Sequence, residues 1–335
     1  MSVFNLKIKS RAAVLMLVIA LTMSLLAGCG GDKNQAQEQS EISDANLSSV
    51  MDISEECVAL SSAPPALTDT MLKAEASGTA VKKTSVAWID YSNISDGYVM
   101  VKYLNPTEKR IKAQVKGPAD TYTYNLTGGE WETFPLSSGN GGYTVTVLEN
   151  VEGTKYAVKA SVTFNAQLKD EFAPFIRPNQ YVDYENAPEA VAKAEELCMN
   201  TESQLEKVSK VYEYVVTNFT YDSVKARTVQ SGYLPVIDTV LQEKKGICFD
   251  YAAVMTGMLR SQGVPCKLVV GYAGNVYHAW ISVYVEGQGW IEGVVYFDGA
   301  SWNRMDPTFA SSGNQSEAIM KYIGNDNNYS AKYFY

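Results

Sequence analysis

A single histidine, His278, occurs in 335 residues, and the five cysteines (Cys29, Cys57, Cys198, Cys248 and Cys266) form no CxxC pair and no repeated spacing. A structural zinc site therefore lacks enough good ligands, since such sites gather four Cys or His donors at short spacings. The irregular spacing also excludes a disulfide scaffold, and neither a metal nor another cofactor is expected. Basic charge is scarce as well. Lys7, Lys9 and Arg11 are three of the 28 basic residues and residues 1–28 hold no acid, so the rest of the chain sets 25 basic against 37 acidic residues, a formal net of −12. That balance excludes nucleic acid as a partner, because phosphate binding needs a basic footprint.

Long apolar runs are missing except in AAVLMLVIALTMSLLAG, which follows the basic start MSVFNLKIKSR and ends on small residues before Cys29. It is too short and too early for a typical membrane anchor and reads as an export signal over residues 1–28. The ending Leu26-Ala27-Gly28-Cys29 resembles the bacterial lipobox. That resemblance implies cleavage before Cys29, acylation of its thiol, and a protein tethered by lipid to the extracytoplasmic face of the cell membrane. An uncleaved anchor and an ordinary secretory signal are the alternatives. Residues 29–60 open with GGDKNQAQEQSEISDANLSS, too polar to bury a core, and are expected to be a disordered tether.

The remaining chain of about 270 residues has room for about two domains. Within 61–168, SVAWIDYS, GYVMVKYLN, RIKAQVKG, TYTYNL, EWETFPL, GGYTVTVLE and TKYAVKASVTFNA alternate apolar and polar residues between turn signals. Seven such strands predict an all-β sandwich of immunoglobulin-like type. Its tyrosines and Trp131 are read as core and cross-strand packing, with a carbohydrate- or peptide-binding face as the rival reading. Residues 169–187 carry two prolines and no periodicity, as expected of a linker.

From residue 188 the period becomes helical. PEAVAKAEELCM is one candidate helix, with Pro188 in its first turn and Cys198 as a buried, inert thiol. A second follows a T-x-x-Q box formed by Thr201 and Gln204, with Leu205, Val208, Val211, Tyr212, Val215 and Phe219 on one face. A third is expected to start near Cys248 and stop at Gly263. A cysteine at a helix N-terminus meets unpaired N–H groups and the positive end of the dipole, which favour thiolate. Alone, such a thiol is also a common packing residue. CKLVVGYA and YHAWISVYVEGQGW then read as a hairpin turning around Gly271–Asn275. His278, Trp280, Ser282 and Tyr284 share one face of its second strand. WIEGVVYFDGASWNRMDPTF supplies a third strand running to Asp306. A lone strand histidine is more often structural. The order of helical Cys, strand His and strand Asp shifts that reading, because the thiol needs a base and the base needs a carboxylate.

The blocks GICFDYAAVMTGMLRSQGVPCKLVVGY, HAW and MDPT, within residues 188–335, resemble the transglutaminase-like superfamily of papain-related thiol enzymes. The resemblance implies an α+β chain: a papain/transglutaminase-like catalytic domain, its helix-borne Cys packed on an antiparallel sheet, preceded by the β-sandwich. It implies Cys248 as nucleophile, His278 as general base and Asp306 as the residue orienting it. Two departures stand out. Where relatives commonly carry arginine after the Gly-Val-Pro turn this chain has Lys267, and the stretch between HAW and DPT is long. The expected chemistry is acyl transfer through a thioester. The backbone N–H of Cys248 is the candidate oxyanion donor, and Tyr233 or Gln230 the candidate side-chain support. Trp280 is expected to pack and to shield the histidine from water. Hydrolysis of peptide or amide bonds in protein, peptide or cell-envelope substrates by a monomer is the leading expectation. Crosslinking or deamidating transglutaminase chemistry, and a surface lipoprotein that binds without catalysis, are the rivals.

Overall fold

The computed structural model describes residues 71–335 except 106, 202, 288, 292–294, 298–301, 305–307 and 309–327. The export signal, Cys29, the tether, Cys57 and Asp306 lie outside the described residues. Among those described, no helix is long and apolar enough to cross a membrane.

Strict alternation makes strands of Ile111–Lys116 (β4), Thr121–Leu126 (β5) and Gly141–Glu152 (β7). Ile111, Ala113, Val115, Tyr122, Tyr124, Val145 and Val147 point inward while their neighbours face water. With Lys155–Ala166 (β8) they form an antiparallel sheet in the order β5-β4-β7-β8. A second antiparallel sheet takes Val81–Lys83 (β1), Ala87–Asp90 (β2), Tyr98–Tyr103 (β3) and Trp131–Pro135 (β6) in chain order. All seven strands read from the sequence are present, and β1 is an eighth. Ile89 and Val101 of one sheet and Val115 and Val145 of the other belong to one buried cluster. Tyr103 ties the sheets together by donating its hydroxyl to Glu149.

The segment 169–187, expected to be a plain linker, is packed instead. Ala173–Phe175 forms a 3-10 turn, Asn179 and Val182 make a β-bridge, and Pro174, Phe175, Val182 and Tyr184 are buried. Its polar atoms are held locally, with Asn179 Oδ1 accepting from the N–H groups of Tyr181 and Val182 at 2.9 and 3.1 Å. Side-chain hydrogen bonds of this kind have no periodicity and leave no pattern in the sequence.

The helical part has Pro188–Cys198 (α1), Gln204–Asn218 (α2), Ser223–Thr228 (α3), Ile237–Glu243 (α4) and Cys248–Ser261 (α5). The N-cap of α2 is Ser203, whose Oγ accepts from Glu206 N at 3.1 Å; it is not Thr201. The Thr201 hydroxyl instead donates to the carbonyl of Cys198 at 2.7 Å, closing the end of α1. Helix α5 is buried on every side from Asp250 to Arg260, as a helix at the centre of a domain must be. It packs on the sheet formed by Cys266–Ala273 (β11), Val276–Val285 (β12), Gly289–Ile291 (β13) and Tyr329–Phe334 (β16), ordered β13-β12-β11-β16 and antiparallel throughout. The expected third strand is described as β13, Val295–Phe297 (β14) and Trp302–Arg304 (β15), the last two pairing with each other. Two short parallel strands, Thr220–Tyr221 (β9) and Lys245–Gly246 (β10), lead into α5.

Arg260 shows how the parts are joined. Fully buried, it donates to the carbonyls of Cys266, Arg177 and Tyr335 at 2.8, 2.7 and 2.7 Å, one each from β11, the packed segment and the end of β16. Burial draws its pKa down to about 10.

Candidate active site

Cys248 is the first residue of α5, and the local sequence fixes it there. Ile247 is extended (φ −97°, ψ 176°), and its N–H is accepted at 2.8 Å by the carboxylate of Asp250, three residues on. Asp250 lies so close to the preceding strand that a Cβ on Gly246 would sit 2.6 Å from the Asp250 Cβ. Only glycine fits. Asp250 is fully buried and is held on its other side by the Tyr233 hydroxyl, which donates to Oδ1 at 2.6 Å, and by the Lys225 ammonium at 2.8 Å from Oδ2. Lys225 also donates to the Tyr233 oxygen at 2.6 Å. Burial, and then the bond to Asp250, push the Tyr233 phenol up to about 12. Burial pulls the Lys225 pKa down, yet its bonds to Asp250 and Tyr233 leave it raised. The phenol and the ammonium both keep their protons through neutral pH, and the cluster pins the loop carrying Gln230 and Tyr233 to the start of α5.

His278 is buried on β12, opposite Gly271 of β11. Trp280, also buried, lies nearly parallel to the imidazole at 23° with ring centroids 6.2 Å apart, and Tyr329 of β16 closes edge-on against the indole at 5.3 Å. A Cβ on Gly271 would fall 2.1 Å from the Ser330 carbonyl oxygen and 2.8 Å from the indole, so glycine lets β16 and Trp280 close over the back of the histidine.

Cys248, His278, Gln230 and Tyr233 all line one cavity of about 490 Å³. The fold thus brings together four of the sequence-derived candidates, with Trp280 behind the histidine. The sole proton of the Tyr233 hydroxyl is committed to Asp250. Gln230 donates one amide N–H to Thr228 O at 2.8 Å, and its side-chain amide carries a second N–H. Cys248 is half-buried, whereas burial pushes Cys266 up to about 12 and also raises Cys198, as suits packing thiols. Lys267 sets its ammonium 3.7 Å from the centroid of the Trp290 ring, with Phe175 and Phe334 at 5.2 and 5.3 Å. Three aromatic rings thus surround the ammonium in a cation–π cage.

Sequence reasoning missed Tyr181, Phe249, Tyr277 and Tyr335, which form much of the cavity wall. Phe249 and Tyr277 adjoin Cys248 and His278 in sequence, and that adjacency was an available signal. Tyr181 and Tyr335 come from segments without periodicity near any motif.

Residues 191–293 match the model of the transglutaminase-like superfamily, a span that includes Cys248 and His278 and ends before Asp306. Uncharacterized protein YebA of Bacillus subtilis (strain 168) is 26% identical over 207 residues, 54% of this chain and 27% of that protein, so the match spans about a quarter of the relative's length. Among solved structures, a Cytophaga hutchinsonii protein provisionally described as a cysteine protease aligns with a TM-score of 0.36 and 15% identity, over 76% of this chain and 78% of that one. Red sea bream transglutaminase aligns with a TM-score of 0.29 and 14% identity, over 68% of this chain and 53% of that one. Over residues 191–293 the chain is similar to the transglutaminase-like superfamily.

Proposed function

We propose that the protein is a thiol enzyme that transfers an acyl group through a thioester on Cys248, with His278 as the base, Asp306 orienting it, and water as the usual acceptor. The observation that carries this reading is that Cys248, at the N-terminus of a 14-residue helix, and His278, the sole imidazole, line the same cavity. The Cys248 thiol gives its proton to His278 and its sulfur attacks the carbonyl carbon of an amide. The tetrahedral oxyanion is met by the backbone N–H of Cys248, with Gln230 assisting. Collapse breaks the C–N bond, and the imidazolium returns the proton to the departing amine. Water then adds to the thioester as His278 takes its proton, and the carboxylic acid leaves as the thiol re-forms. Lipid on Cys29 would hold the enzyme at the extracytoplasmic membrane face as a monomer, behind a β-sandwich of immunoglobulin-like type.

Two measurements test this. Iodoacetamide near neutral pH should modify Cys248 ahead of Cys57, Cys198 and Cys266, and His278→Ala should abolish that selectivity; equal labelling in both proteins would contradict the reading. Incubation of residues 60–335 with a peptide library and a primary-amine probe should yield cleaved peptides by mass spectrometry. Amine adducts without cleavage would replace hydrolysis with crosslinking, and a gain of about one mass unit at glutamine would replace it with deamidation.

A further inference from the structure

We infer that the Cys248 cleft selects polypeptide acyl donors with a bulky uncharged side chain, aromatic or long aliphatic, beside the reacting carbonyl, and turns away acid-rich peptides such as those of the cell wall. This rests on the acyl-transfer reading and names the substrate class of the same site.

The wall of the cleft is aromatic and continuous. Tyr233 lies 6.5 Å from Phe249, Phe249 stands edge-on to Tyr181 at 5.3 Å and 89°, and Tyr181 meets Tyr335 at 4.5 Å. Behind them, Tyr124 packs against Tyr181 at 5.5 Å and Tyr335 at 5.8 Å, so the wall is backed by the core of the β-sheets. A wall supported in this way is a preformed apolar surface rather than a loose set of rings.

Charge is the second argument. Among the described residues, no Asp, Glu, Lys or Arg lines the cavity. The nearest ion pair, Lys225 with Asp250, is screened behind Tyr233, and its charges are matched to each other. A substrate carboxylate entering the cleft would lose water without gaining a counter-charge from the described residues that line it. Burial also raises the Tyr181 phenol, as expected where negative charge is disfavoured. A substrate ammonium would likewise find no carboxylate among the described residues that line the cavity.

The third argument is the rim. Val276 is 63% exposed and Tyr277 59%, and both also line the cavity, while Tyr272 beside them is 40% exposed. Apolar side chains left in water at the mouth of a cleft extend its binding surface outward. The volume of about 490 Å³ accommodates a large side chain together with the flanking backbone.

Protection of Cys248 from iodoacetamide in the full mature chain tests the inference without requiring turnover. Peptides of one sequence differing only at a central Phe, Leu, Glu or Lys serve as competitors, and the Cys248 adduct is read by mass spectrometry. Phe and Leu peptides should protect at concentrations about tenfold or more below the Glu peptide. Val276→Lys at the rim should narrow that gap by improving protection by the Glu peptide. Equal protection by Phe and Glu peptides, a preference for Lys, or no protection by any of them would overturn the inference. Failure of the acyl-transfer reading is separately visible, as labelling of Cys248 that does not depend on His278.

Discussion

Asp250 illustrates what a single buried carboxylate can organise. It is inaccessible to solvent, yet it accepts from the Ile247 N–H and the Tyr233 hydroxyl and faces the Lys225 ammonium, whose side chain is about a quarter exposed. Lys225→Met would leave the carboxylate buried with two neutral donors and no counter-charge. The expected loss is about 1.5–3 kcal/mol, the worth of a hydrogen bond to a charged group, reduced toward the lower end by the exposure of Lys225. Urea unfolding checks the loss, and a cycle with Asp250→Asn isolates the pair, since removing the charge from both sides should recover part of it. Additive single losses would show that the ion pair contributes nothing to the fold. Cys248 and His278 were legible as residues because each lies in a local pattern, a helix start and an alternating strand. The role of Tyr233 was not, because its partners Lys225 and Asp250 are 8 and 17 positions away in sequence and no periodicity links them to it.

At the scale of elements, the two β-sheets are coupled through one carboxylate. Glu149 on β7 accepts from Tyr103 on β3 and pairs with Lys109 and Lys159, each at 3.1 Å. The Tyr103 bond and then the two lysines hold the Glu149 pKa at about 2, below its ordinary 4.5. A folded-state pKa below the unfolded one means that this stabilisation is complete above about 4.5 and is lost as pH falls toward 2. Glu149→Gln should therefore lower Tm at neutral pH and show a shallower further fall between pH 4.5 and 2 than the parent. A parallel displacement of the two curves across that window would show that Glu149 does not titrate between folded and unfolded states. The alternation of β7 was plain in the sequence, and so were the seven strands around it. Their pairing order was not, since each strand offers the same inward apolar face and nothing local ranks one neighbour above another. The pairing of β14 with β15 was hidden for the same reason.

On the scale of the whole molecule, the segment from residue 188 onward and the sheets before it are not separable by their contacts. The reading of residues 169–187 as a linker rested on missing periodicity, and periodicity reports only regular elements. Three observations oppose independence. Arg177 gives one of the three carbonyls that satisfy the buried Arg260. Tyr181 is part of the cleft wall and touches Tyr335. Tyr335 in turn packs edge-on against Tyr122 and Tyr124 of β5. A fragment of residues 188–335 would expose the inner faces of Tyr335 and Phe249 and leave an Arg260 donor without its acceptor. Each loss falls in the range of about 1–3 kcal/mol, against a total stability of roughly 5–15 kcal/mol for a domain. Residues 71–335 should accordingly unfold in one thermal transition that includes the β-sheets. The fragment should melt at least about 10 °C lower or fail to fold, and any remaining Cys248 should lose its selective alkylation. A fragment that melts at the temperature of the longer chain and keeps that selectivity would show that the sheets merely adjoin the cleft and do not build it.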